Sequence, residues 1–171
     1  DQFINLSALI FNNNIVTAGY ITLSASVAGD ILIGNKITLS NSAIADAFAI
    51  TYSNDSSAIS IFNDNFISSN ATTNAINISG NGSMVFSNNI VDSVSTSTNL
   101  LLLGSATSGV ITSISDNVFK LSDTILANGL NVNRSNTTII GNTFQCASGS
   151  PTNSSITIAT LLTNIFINKY S

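Results

Sequence analysis

The chain contains no histidine, tryptophan or glutamate, a single cysteine, proline and methionine, and only 7% charged residues. Each shortage excludes something. Without His or Glu, the usual nucleophilic triads and zinc sites have no parts to be built from, so the expectation is no catalytic residue, no metal and no cofactor. With Cys146 as the lone thiol, neither an internal disulfide nor a thiolate cluster can form, and Cys146 reads as a buried spectator. Glu and Lys support exposed helix faces, so their scarcity speaks against a helical protein. The four bases, Lys36, Lys120, Arg134 and Lys169, against eight Asp leave a net charge of −4 without a basic patch. Nucleic acid is thereby an unsuitable partner. Apolar runs such as residues 100–103 fall far short of the roughly 18 residues of a membrane span.

What is present instead is apolar and neutral polar. Hydrophobic residues make up 44% of the 171, and 25 Asn, 28 Ser and 18 Thr supply most of the rest. Disordered chains are poor in apolar residues and rich in charge, so this one is expected to fold, with a surface of amides and hydroxyls. Its length suits one domain over residues 1–171.

A repeat runs through that domain: apolar, any residue, a turn residue, Asn, any residue, apolar. It reads Phe11-Asn12-Asn13-Asn14-Ile15-Val16, Leu32-Ile33-Gly34-Asn35-Lys36-Ile37 and Phe62-Asn63-Asp64-Asn65-Phe66-Ile67. It continues as Phe86-Ser87-Asn88-Asn89-Ile90-Val91, Ile114-Ser115-Asp116-Asn117-Val118-Phe119, Ile139-Ile140-Gly141-Asn142-Thr143-Phe144 and Leu161-Leu162-Thr163-Asn164-Ile165-Phe166. The repeated positions are therefore Asn14, Asn35, Asn65, Asn89, Asn117, Asn142 and Asn164, separated by 21, 30, 24, 28, 25 and 22 residues. Such variable spacing suits a β-helix, whose extra residues bulge out as loops while the strands keep register. The residue before the Asn is Asn, Gly or Asp in six copies and Thr163 in the seventh. Those three types accept the left-handed backbone that a sharp bend requires.

The amide itself has a reason. Carrying both donor and acceptor, identical Asn side chains stacked about 4.8 Å apart can bond in a continuous ladder. Asp would place like charges on neighbouring rungs, and Ala would leave buried backbone groups unpaired. A second strand precedes the bend in most repeats, as in Tyr20-Ile21-Thr22-Leu23, Ala49-Ile50-Thr51-Tyr52, Ala75-Ile76-Asn77-Ile78 and Leu130-Asn131-Val132. These segments alternate apolar with polar, the period of a strand with one wet face. Asn99 and Arg134 read as residues of solvated loops, and Pro151 falls in another.

Over about residues 9–167 the pattern resembles the repeats of the right-handed parallel β-helix, pectin-lyase-like superfamily. Phe11-Asn12-Asn13-Asn14, Phe62-Asn63-Asp64-Asn65 and Phe86-Ser87-Asn88-Asn89 also resemble the FxxN repeats of chlamydial polymorphic outer-membrane adhesins. The expected fold is all-β, a right-handed parallel β-helix (β-solenoid) of about seven coils with an Asn ladder. The superfamily is shared by polysaccharide lyases and hydrolases, phage tailspikes and autotransporter passengers, so fold alone does not assign an activity.

The carboxylates are the remaining candidates for catalysis. Asp64 and Asp116 occupy the same turn position, but with the repeat of Asn88 between them they stand about 9.6 Å apart, two strand spacings. Glycosidases need roughly 5 to 9.5 Å, which puts the pair at or beyond the limit. Asp30, Asp46, Asp55, Asp92 and Asp123 fall at unrelated phases. Eight Asn-x-Ser/Thr sequons occur, close to the number that this composition produces by chance. The outward positions Thr22, Thr51, Asn77, Leu102, Asn131 and Thr157 are too irregular for a lattice-matched ice-binding face.

The expectation is thus an extracellular or cell-surface scaffold, structural or adhesive and without catalytic activity. Its partners would be surface glycans, copies of itself joined end to end, or flanking coils of a longer rod. The competing reading is a carbohydrate-binding or carbohydrate-active β-helix.

Overall fold

A computed structural model describes residues 2–4, 10–26, 29–93, 99–104, 110–121, 128–146, 156–158, 163–166 and 168–170. Every regular element among them is a β-strand, and the strands pair in parallel. The chain is a parallel β-helix with three faces.

The first face stacks Gln2–Ile4, Ile21–Ser26, the opening part of Asp46–Asn63, the opening part of Asn74–Ser87, Asn99–Leu103, Asn128–Val132 and Ile156–Ile158. The second stacks Ile10–Asn12, Ile31–Ile33, the closing parts of the same two long strands, Thr112–Ser115, Thr137–Ile140 and Thr163–Phe166. The third, a sheet of seven strands, stacks Ile15–Ala18, Lys36–Leu39, Phe66–Ser69, Ile90–Ser93, Val118–Leu121, Thr143–Cys146 and Lys169–Tyr170.

Side chains alternate in and out with the two-residue period of a strand, as in Lys36–Leu39, where Ile37 and Leu39 are buried. Because pairing is in register, like residues stack on like. Phe11, Leu32, Phe62, Phe86, Ile114 and Ile139 form one interior row of the second face. The rings of Phe62 and Phe86 lie 5.9 Å apart and those of Phe119 and Phe144 are stacked at 5.2 Å. One continuous apolar core fills the space between the faces.

The bend from second to third face takes its shape from the residue before the repeated Asn. Asn13, Gly34, Asp64, Asn88, Asp116 and Gly141 all have φ between 54° and 68°. Gly, Asn and Asp are the types that tolerate this left-handed conformation, which accounts for the turn column in the repeat.

A different constraint acts at Gly80, between first and second faces, where φ is 83°. A Cβ there would run into the backbone carbonyl of Tyr52, whereas one at Gly34 would meet only the end of the Asn13 side chain. Gly34→Ala is expected to cost about 1 to 2 kcal/mol from the left-handed backbone. Gly80→Ala carries the same strain plus a clash with backbone that cannot move without breaking the sheet, raising the cost to about 3 kcal/mol or more. Equilibrium denaturation of the two variants measures the difference.

Candidate functional site: the buried polar columns

Among the described residues, most buried polar side chains gather at the bends, in three columns parallel to the axis. The longest is the Asn ladder. The backbone N–H and the Nδ2 of Asn14 both donate to Oδ1 of Asn35, at 2.9 and 3.2 Å. Asn35 does the same to Asn65 at 3.0 and 2.8 Å, and Asn65 to Asn89 at 3.0 and 2.9 Å. Asn89 donates to Asn117 at 2.8 and 3.1 Å, and Asn117 to Asn142 at 3.0 and 2.9 Å.

The second Nδ2 hydrogen reaches back to a carbonyl of the preceding coil: Phe11 from Asn35, Leu32 from Asn65, Phe62 from Asn89, Phe86 from Asn117 and Ile114 from Asn142. An interior rung thus uses both amide donors, both acceptor positions of Oδ1 and its own backbone N–H. Asn35, Asn65, Asn89, Asn117 and Asn142 are 0 to 2% exposed. A carboxylate could accept these bonds but not donate them, so Asp cannot replace an interior rung.

The last rung differs from the expectation. Asn164 lies within the strand Thr163–Phe166, opposite Thr138, and the amide that receives the N–H and Nδ2 of Asn142, both at 3.0 Å, belongs to Asn168. Pairing of Ile139 with Ile165 and Ile140 with Phe166 carries the second face four residues further than the repeat implied. Ile167, rather than Asn, Gly or Asp, precedes Asn168, so the turn-residue signal pointed to the wrong amide.

The second column stands at the bend from third face to first. Asn99 is no loop residue: it opens the strand Asn99–Leu103 and is 6% exposed. Its Nδ2 donates to Oδ1 of Asn74 at 2.7 Å and its Oδ1 accepts from Asn131 at 3.3 Å. Asn74 and Asn77 in turn donate to the two carboxylate oxygens of Asp46 at 2.5 and 2.9 Å. The sequence signal existed, since Asp46, Asn74, Asn99 and Asn128 each open a first-face strand and stand in register.

The third column contains the buried charges. Arg134, expected in a solvated loop, is 1% exposed and reaches carbonyls of other coils. Its Nε donates to the carbonyl of Gly104 at 3.1 Å, Nη1 to Gly82 at 3.3 Å, and Nη2 to Ile78 and Gly80 at 3.4 Å. One guanidinium therefore ties together three successive coils, and its five fixed donors explain why no other side chain serves. The absence of side-chain bulk at Gly82 makes room for the Tyr52 ring. Tyr52 donates its hydroxyl to Ser60 at 2.8 Å, and Ser60 Oγ also accepts the backbone N–H of Gly29 and of Asp30 at 3.0 and 3.2 Å. Asp30, Tyr52 and Ser60 are at most 2% exposed.

Comparison with protein families, curated proteins and solved structures finds no match to this chain. The parallel β-helix fold is the common ground with the β-helix superfamily. Among the described residues no three metal-ligating side chains come together, and no helix is long and apolar enough to cross a membrane. Asp64 and Asp116 are exposed in the second-to-third bend, where Asp64 accepts from Asn63 Nδ2 at 2.6 Å. Asp123, Pro151 and the side chains of Asp55 and Cys146 lie outside the described set.

Two expectations follow. Asn89→Ala removes partners from Asn65, Asn117 and the Phe62 carbonyl together and should cost about 2 to 4 kcal/mol, while Thr38→Ala on an outward position should cost under about 0.5 kcal/mol. Urea denaturation of both compares them. The second concerns pH. Burial, then the Asp30 carboxylate, pushes the Tyr52 phenol well above its ordinary 10.0, and burial pushes Arg134 down to about 10 against the pull of Tyr52. A raised phenol stabilises the fold below pH 10 and loses that contribution as pH rises further; the depressed guanidinium has the opposite sign. Relative to the unaltered chain, Tyr52→Phe should therefore gain about 1.4 kcal/mol per pH unit above pH 10, read from denaturation curves at stepped pH.

Proposed function

We propose that this β-helix is an extracellular or cell-surface scaffold, structural or adhesive, of the non-catalytic passenger type within the pectin-lyase-like superfamily. The observation that carries the reading is where polar chemistry is spent. The Asn ladder, the column from Asp46 to Asn131, and the cluster of Arg134, Tyr52, Ser60 and Asp30 are closed from solvent or engaged with neighbouring coils. Their work is holding coils in register. What faces outward is largely hydroxyl, amide and aliphatic, a surface suited to weak, repeated contacts with glycans or with neighbouring rods. The FxxN resemblance to chlamydial adhesins supports the same reading.

Joining along the axis is part of this proposal. Asn14 Oδ1 accepts no hydrogen bond among the described residues, and Phe11, Val16, Ile21, Leu23, Leu32, Ile37 and Phe48 line an apolar cavity of about 170 Å³ beside it. A further coil, from flanking sequence or from the other end of a second copy, would continue both the ladder and the core.

The alternative is a carbohydrate-active β-helix, favoured by the shared column of Asp64 and Asp116. Reducing-end assays on polygalacturonate, other uronans and neutral polysaccharides decide between them. The scaffold reading expects no product. Product formation that disappears in Asp64→Asn or Asp116→Asn would replace it with the enzyme.

A further inference from the structure

The Asn ladder has a direction. An interior rung such as Asn65 hands its backbone N–H and one Nδ2 hydrogen to Oδ1 of the next rung toward the C-terminal coil, and reaches back with the other to a carbonyl of the coil before. The two ends of the ladder are therefore unlike. At the N-terminal end Asn14 gives to Asn35, but among the described residues nothing donates to its Oδ1. The reach-back that Asn35, Asn65, Asn89, Asn117 and Asn142 all make is replaced at Asn14 by a bond to the carbonyl of Asn12 in its own turn, at 2.9 Å. At the other end the ladder arrives on Oδ1 of Asn168, which places the N–H and Nδ2 of Asn168 on the donor side of the repeat frame.

The interior is uncovered at the same two places. Ile114 and Ile139 are 0% exposed, whereas Ile165, next in their row, is 47% exposed. At the opposite end of that row Phe11, paired with the buried Leu32, is only half-buried, and with Val16 it borders the apolar cavity of about 170 Å³. Ile10 is 69% exposed, while Ile31 and Ile61 of its row, with a strand on each side, are half-buried. One end thus offers an uncovered aliphatic side chain and the other a hollow with apolar walls. Among the described residues the first coil carries no charge and the last carries only Lys169, so no like charges oppose their meeting.

We infer that the N-terminal coil is a docking surface for the C-terminal coil of a second copy of this chain, in the register of the repeat. Asn168 of the second copy gives its N–H and Nδ2 to Asn14 Oδ1, Asn14 Nδ2 reaches back to the Ile165 carbonyl, and the Ile165 side chain covers Phe11. The outermost strands, paired on one side only among the described residues, gain neighbours: Ile156–Ile158 beside Gln2–Ile4, Thr163–Phe166 beside Ile10–Asn12, and Lys169–Tyr170 beside Ile15–Ala18. In such strand addition main-chain bonds supply the affinity and side-chain fit supplies the register. Two N-terminal ends brought together would set Oδ1 against Oδ1 with no hydrogen between them, so the polarity of the ladder selects opposite ends as partners. A contact between unlike ends does not close, and growth is open and polar.

The inference rests on the axial joining of the scaffold reading and narrows it to a second copy met tail to head; the scaffold is judged by turnover and this contact by mass, so either can fail alone. The test is sedimentation velocity with negative-stain microscopy on the 171-residue chain, from low micromolar to near-millimolar concentration, and on two singly blocked variants. Ile165→Lys charges the C-terminal end and Val16→Lys the rim of the N-terminal hollow; each side chain borders solvent, which a lysine can reach without unfolding the coil. Circular dichroism and melting temperature verify the fold, and Asn14→Ala, which removes the acceptor alone, takes the place of Val16→Lys if that variant does not fold. The unaltered chain is expected to lengthen with concentration into unbranched filaments without a plateau. Each variant by itself is expected to associate about tenfold more weakly or less, while an equimolar mixture of the two forms a heterodimer and nothing longer, because one open head and one open tail remain. An unaltered chain that is monomeric at every concentration overturns the proposal. So does self-association of Ile165→Lys alone, which would be a meeting of N-terminal ends, growth that survives both changes, or a mixture that stays monomeric.

Discussion

Each bend between second and third faces brings backbone donors and acceptors into an interior that water does not reach, and the structure depends on satisfying them in every coil. A buried backbone group left without a partner costs about as much as several good contacts supply. The Asn side chain solves this once per coil: its Oδ1 takes the N–H of the rung before, and its Nδ2 reaches a carbonyl, as Asn65 does with Leu32. Because each rung bonds both its neighbours, satisfaction is shared, and the strands on either side are held in one register. The stacking of Phe62 on Phe86 and of Ile37 on Ile67 follows from that alignment.

The bends without the ladder solve the same problem differently. Between third and first faces backbone pairs with backbone, as the N–H of Asn74 does with the Ala45 carbonyl and that of Asn99 with the Thr73 carbonyl, while the side chains of Asp46, Asn74 and Asn99 satisfy one another. Between first and second faces the long strands Asp46–Asn63 and Asn74–Ser87 pass through irregular registers, and carbonyls turned inward there are collected by Arg134. A buried guanidinium is costly unless its donors are used. Here carbonyls of Ile78, Gly80, Gly82 and Gly104 receive them, and the glycines allow the approach.

Function is read from what remains after these demands are met. The interior takes Asp30 and Arg134, the third face takes Lys36, Lys120 and Asp92, and the second face is left with neutral and aliphatic groups. That division of charge gives the three faces different outer chemistry.

Much of the fold was legible in the chain itself. The alternation of the strands, the left-handed position before each ladder Asn and six of the rungs, from Asn14 to Asn142, are local: period, backbone strain and amide valence act within a few residues. The choice of Asn168 over Asn164 was not local, because it depends on how Thr163–Phe166 pairs with Thr137–Ile140. Nor was the burial of Asn99 and Arg134, whose partners lie 25 to 56 residues away in sequence. An Asn that opens a strand and an Arg that follows one look solvated until neighbouring coils close over them. Composition and periodicity determined that coils would form and stack; only the stack decided which polar groups it would enclose, because enclosure is a property of adjacent coils and not of any one of them.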